Sequence, residues 1–146
     1  MRKSASFFFA LIAITLFSAG RASAQSVVRQ DVPPPLISGM EAYKPGNPEQ
    51  AMKAWLKNSP LDGTQMVSDE ANILRQAQNQ FGAFQWYDVI FNREISPRIR
   101  IIYLAMNYES GPLFARFVLY RTDRGWIVTS FDFNLDDTKI LPLTVE

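Results

Sequence analysis

The side chains able to do chemistry in this 146-residue chain are carboxylates, arginines, tyrosines and amides, because it holds neither histidine nor cysteine. A Ser-His-Asp triad, a Cys-His dyad, ordinary zinc sites, Fe–S clusters and disulfides are excluded on that ground alone. The sharpest pairing is Arg116 with Asp132, accompanied in the strand pattern by Tyr103, Asn107 and Tyr120. Such a group suits an anionic or polar ligand, since charge-assisted hydrogen bonds are the strong ones. The same Arg and Asp, set opposite each other on two strands, make only a cross-strand salt bridge worth a few tenths to about 1 kcal/mol.

Three weaker constellations stand beside it. Asp88 lies among Trp86, Tyr87 and Ile90. A carboxylate in apolar surroundings holds its proton more tightly and can act as a base; at a strand edge it is merely solvated. Arg93, Arg98 and Arg100 gather around one turn, next to Glu94. A phosphate or nucleic-acid site would want such a group, but edge charges also guard a sheet against aggregation. Asp132, Asp136 and Asp137 lack the glycine and terminal glutamate of a calcium loop, so Asp136-Asp137 reads as a turn. The pattern yields no catalytic residue, no metal ligand and no cofactor motif. Tyr103, Asn107, Arg116, Tyr120 and Asp132 are the ligand-binding or interface candidates.

The elements that must position them are well signalled. Asn47 caps a first helix with Pro48 at its first position and Met52, Trp55 and Leu56 on one face, ended by Asn58-Ser59-Pro60. A second helix runs from near Thr64 to Phe81, closed by Gly82, with Met66, Ile73, Leu74, Ala77 and Phe81 at helical spacing. Four strands follow: 84–95, 98–109, 113–122 and 126–134, rich in aromatic and β-branched residues. Short separators make the order a meander of hairpins.

Turn type sets register. A two-residue loop at Ser110-Gly111 pairs Glu109 with Pro112 and Leu104 with Phe117. A three-residue loop at Asp123-Arg124-Gly125 pairs Thr122 with Trp126, Tyr120 with Val128, Val118 with Ser130 and Arg116 with Asp132. One face then carries Ile102, Leu104, Met106, Ala115, Phe117, Leu119, Ile127, Phe131 and Phe133, uncharged throughout and suited to lie under the helices. At roughly 1.5–3 kcal/mol per buried large side chain, such a core stabilises a domain without disulfides. The other face carries the candidates among Ile101, Ala105, Phe114, Val118, Val128 and Ser130. It is too apolar for a plainly solvated face, which implies a cover: a second subunit, the proline-rich residues 25–46 or a ligand.

The ends bound compartment and charge. Arg2 and Lys3, an apolar run from Phe7 to Phe17, and Ala22-Ser23-Ala24 form a cleavable secretory signal over residues 1–24. Its run of about 11 residues is short of the roughly 20 that span a membrane. Three of the fifteen basic residues fall in this segment (Arg2, Lys3, Arg21), leaving twelve against fourteen acids, a net charge of −2. Nothing electrostatic then favours nucleic acid or an anionic membrane. Residues 25–46, with Pro33-Pro34-Pro35, Gly39, Pro45 and Gly46, read as a Pro-rich arm or linker, and residues 47–146 as the domain.

Two helices before a long antiparallel sheet, the run from Asn107 to Phe117 (Asn-Tyr-Glu-Ser-Gly-Pro-Leu-Phe-Ala-Arg-Phe), then Tyr120-Arg121 and Gly125-Trp126, resemble the NTF2-like, cystatin-like α+β superfamily, and within it small exported bacterial proteins of unknown function. The resemblance spans residues 47–142. It implies a cone-shaped α+β fold that often dimerises through its outer sheet face and serves both enzymes and binding domains. A third N-terminal helix is usual there, so either the cone is shallower or part of residues 25–43 supplies it.

The expectation is an α+β domain of two N-terminal helices on a curved four-stranded antiparallel meander, periplasmic or secreted. It forms a homodimer through the outer sheet face and binds a small molecule or an envelope protein, without a cofactor, nucleic acid or, after cleavage, a membrane span. The alternative is an enzyme using carboxylate and Tyr groups such as Asp88 with Tyr87 or Tyr108 for proton transfer, which requires a pocket between helices and sheet.

Overall fold

The computed structural model describes residues 32–44 and 46–142; residues 1–24, expected to be a signal peptide, lie outside them. Three helices precede the sheet: α1 (Pro34–Tyr43), α2 (Pro48–Trp55) and α3 (Gln65–Phe81). α2 begins as its sequence predicts, with Asn47 Oδ1 accepting the Gln50 N–H at 3.1 Å. α3 starts one residue after Thr64 and ends at Phe81, before Gly82.

α1 corrects the expected helix count and falls within the stretch read as an arm. Its prolines do not oppose it. Pro34 and Pro35 occupy the first turn, where N–H groups lack helical acceptors anyway. Gly39 is a matter of space: a Cβ there would overlap Cδ1 and Nε1 of Trp55. The Trp55 ring lies across α1 and its Nε1 donates to the Leu36 carbonyl at 3.3 Å. Leu36, Met40 and Tyr43 are buried, and this burial holds the short helix in place.

The strands β1 (Phe84–Ser96), β2 (Ile99–Tyr108), β3 (Pro112–Thr122) and β4 (Gly125–Asn134) form one antiparallel meander in the order β1-β2-β3-β4. The β1–β2 register shifts between Phe84/Trp86, Val89/Phe91 and Glu94/Ser96. Irregularities of this kind bend a strand and deepen its twist.

The registers of the other two hairpins differ from expectation in instructive ways. Asn107, not Glu109, pairs with Pro112, and Leu104 pairs with Ala115 rather than Phe117. The Ser110-Gly111 turn is wider than two residues: the Tyr108 N–H donates to the Gly111 carbonyl at 3.0 Å, and the Ser110 N–H reaches Phe81. A displacement by two preserves faces. In the last hairpin Gly125 has φ 122°, the conformation its turn needs. There Thr122 pairs with Gly125 and Tyr120 with Ile127, one step from the expected register. Thr129 is accommodated as a bulge, after which Val118–Ser130 and Arg116–Asp132 pair as expected. Val128 therefore points inward and is fully buried, and Ile127 is only half-buried.

The centre of the core between helices and sheet is fully enclosed. Trp55, Leu56 and Leu74 meet Leu104, Met106, Phe117 and Phe133, all at 0 % exposure. Trp55 stands 5.4 Å from Phe117 and 5.6 Å from Phe133, centroid to centroid. At the other end, the Tyr43 and Tyr108 hydroxyls share a buried hydrogen bond of 2.8 Å, with Phe84 and Phe81 packed against Tyr108. Burial pushes the Tyr43 hydroxyl up to about 12 and raises that of Tyr108 further. No helix of the described residues is long and apolar enough to cross a membrane.

Candidate binding face

Alternation along β2 and β3 divides the sheet sharply. Ile102, Leu104, Met106, Tyr108, Leu113, Ala115, Phe117 and Leu119 are all buried; the residues between them on the opposite side are not. That outer side carries the five candidates, and no residue on it is buried.

The registers arrange them as a strip. Phe91, Tyr103, Arg116 and Asp132 are successive partners across all four strands, forming one row. The Phe91 and Tyr103 rings meet edge to face at 5.9 Å. Arg116 and Asp132 are Cα partners yet make no ion pair with each other, so the pair is not the cross-strand salt bridge considered above. Asn107 lies four residues from Tyr103 along β2, and Tyr120 four residues from Arg116 in the opposite direction. At about 3.3 Å per residue each stands roughly 13 Å from the row. The fold thus joins Tyr103, Arg116 and Asp132, and sets Asn107 and Tyr120 at either end of an elongated surface.

β1 completes this face with Trp86, Asp88 and Phe91, which the sequence pattern did not assign. The missing signal is the β1–β2 register, because its shifts break simple alternation. Trp86 is 57 % exposed, the most exposed large apolar side chain of the face. Asp88 is exposed, and its Oδ2 accepts from Asn107 Nδ2 at 2.7 Å. Tyr108 points to the opposite side, into the core, and Tyr87 pairs with Met106 on that same inner side. Asp88 therefore meets neither tyrosine in a pocket between helices and sheet.

The remaining constellations also disperse. Arg93 pairs with Ile101 on the outer face. Arg100 lies on the inner side, 3.4 Å from Glu94 and 5.5 Å from the Trp126 ring centroid. Among the described residues no three acidic groups converge on a place for a metal ion. Asp136 instead caps the turn at Asp137–Lys139, its Oδ1 accepting from the Thr138 hydroxyl at 2.7 Å and N–H at 3.0 Å. The Thr138 hydroxyl, then its N–H, hold the Asp136 carboxyl below the usual carboxylate range.

A group unmarked in the sequence is Glu70 on α3. Its Oε2 accepts the Phe133 N–H at 3.1 Å, filling a donor on the free edge of β4. Partial burial drives its carboxyl up to about 7; the Phe133 bond opposes this and the nearby Asp132 and Asp69 charges add to it.

The fold is the cystatin-like α+β fold. It is similar to that of a domain of unknown function with a cystatin-like fold from Nostoc punctiforme, solved by crystallography, with a TM-score of 0.50 and 14 % identity over 81 % of this chain and 80 % of that one. No family model and no curated protein matches the sequence.

Proposed function

We propose that the chain is an exported domain of the NTF2-like branch of this fold, acting in the periplasm or outside the cell as a non-enzymatic binding module. It pairs with a second copy through the outer sheet face and engages a small molecule or an envelope protein. The observation that carries the reading is the contrast between faces: the inner side of β2 and β3 is buried at every position from Ile102 to Tyr108 and from Leu113 to Leu119, whereas the outer side presents Trp86, Phe91, Tyr103, Phe114 and Tyr120 without burying any of them. An aromatic strip flanked by polar groups fits a partner better than water. Its elongation favours a protein surface over a compact ligand. The three helices ahead of the meander support the NTF2-like branch, and the leader-like residues 1–24 support export.

Native mass spectrometry of the protein purified from its own compartment tests this. A dimer is expected, and Val118→Glu with Tyr120→Glu is expected to give a monomer whose circular dichroism is unchanged. A wild-type monomer, or a double variant that stays dimeric, would refute the interface.

A further inference from the structure

The meander returns its first and third turns to the same end of the sheet, and with them arginines distant in sequence. The Arg121 N–H donates to the Arg98 carbonyl at 2.9 Å, so these two side chains leave neighbouring backbones. Arg124 follows in the last turn, which Thr122 braces: its Oγ1 accepts the Arg124 N–H at 3.2 Å and donates to the Gly125 carbonyl at 2.8 Å. Arg98, Arg121 and Arg124 line a cleft of about 590 Å³ between the turns. Asp123, 95 % exposed, is the one acid on its wall and lies 3.6 Å from Arg98. Among the described residues neither Arg121 nor Arg124 has an ion-pair partner.

Three guanidinium groups against one carboxylate leave a local charge of +2, although acids outnumber bases beyond residue 24. Gathering like charges is unfavourable unless an anion joins them. We propose that this cleft binds a phosphate-class dianion: the terminal phosphate of a soluble small molecule or of a lipid headgroup. A lone carboxylate is satisfied by one arginine fork. A phosphate monoester carries about −1.5 to −2 near neutrality and offers three acceptor oxygens, matching several forks at once. Adjoining clefts of about 330 and 360 Å³ share Arg121 and Arg124 respectively, and Trp126 lines both. The organic part of such a ligand therefore has an indole surface to lie on. The first cleft alone is within the size range of small-molecule sites. The site sits at the end of the sheet, and none of the outer-face candidates lines it.

The test follows arginine side-chain N–H resonances of the isotopically labelled protein while inorganic phosphate is added at constant ionic strength. In parallel the protein is floated with phosphatidylcholine vesicles with and without phosphatidate. Saturable shifts are expected, weakened at least about tenfold (about 1.4 kcal/mol) in the double variant Arg121→Gln, Arg124→Gln, whose circular dichroism serves as the folding control. Arginine-dependent retention on phosphatidate vesicles marks the lipid source of the same phosphate chemistry. Saturation by phosphate without retention marks the soluble one. Shifts that never saturate, or that persist in the double variant, together with no arginine-dependent retention, would overturn the proposal.

Discussion

Glu70 should contribute more to the stability of the domain in mild acid than in mild base. Its carboxyl in the folded protein protonates at about 7, against an ordinary 4.5. The folded state therefore holds a proton that the unfolded chain has released between these values. The stabilisation is fully present below pH 4.5 and is lost as pH rises through 7. At 1.36 kcal/mol per unit, the ceiling is about 3 kcal/mol; the side chain is only half-buried, and solvent screening brings the expected effect to about 1–2 kcal/mol. Glu70→Gln keeps an acceptor for the Phe133 N–H and removes the charge. Urea unfolding of both proteins from pH 5 to pH 8 isolates this one group, because all other titrations are shared. The variant should match the wild type near pH 5 and exceed it by about 1–2 kcal/mol at pH 8. A difference that does not change with pH would refute the burial argument. A wild type that gains on the variant as pH rises would mean that the Phe133 hydrogen bond to the anion outweighs desolvation.

Two further perturbations test the core. Gly39→Ala should destabilise by about 1–2 kcal/mol or more, because overpacking against the Trp55 ring exceeds the roughly 1 kcal/mol that alanine gains in a helix; thermal unfolding that is unchanged or improved would show that the ring can yield. Tyr43→Phe should cost about 1–3 kcal/mol by stranding the Tyr108 hydroxyl, Tyr108→Phe should cost less because the Tyr43 hydroxyl keeps the Leu74 carbonyl at 3.5 Å, and the double variant should cost less than the sum of the two. Additive losses in that cycle would mean the two hydroxyls do not depend on each other.

Much of the architecture follows from local pattern. α2 and α3 declare themselves through Asn47, Pro48, Gly82 and a helical apolar stripe. The inner faces of β2 and β3 were legible because side chains alternate with a period of two, so the wrong Ser110-Gly111 turn displaced the pairing by two residues and moved nothing between faces. The same alternation puts Tyr103 and Arg116 on one face, and Asp132 joins them because the Thr129 bulge offsets the one-residue difference at the last turn. Where pattern failed, contacts distant in sequence decided. The signals of α1, three prolines and a glycine, describe a poor helix in isolation; it exists because Leu36, Met40 and Tyr43 are buried and because Trp55 needs the room that Gly39 leaves. Val128 turns inward through a bulge at Thr129, which no composition announces. Asp88 was separated from Tyr87 and Tyr108 by the alternation of β1 and the β1–β2 register. The arginines regrouped likewise: Arg93 and Arg100 left for opposite faces, and Arg98 met Arg121 and Arg124 because the meander brings its first and third turns to one end. The chain by itself determined which segments are helix and strand and which side of the central strands is apolar, since those depend on neighbours a few residues away. Which polar groups share a site was decided only by tertiary structure, because register and turn geometry set those meetings and a single inserted residue redirects them.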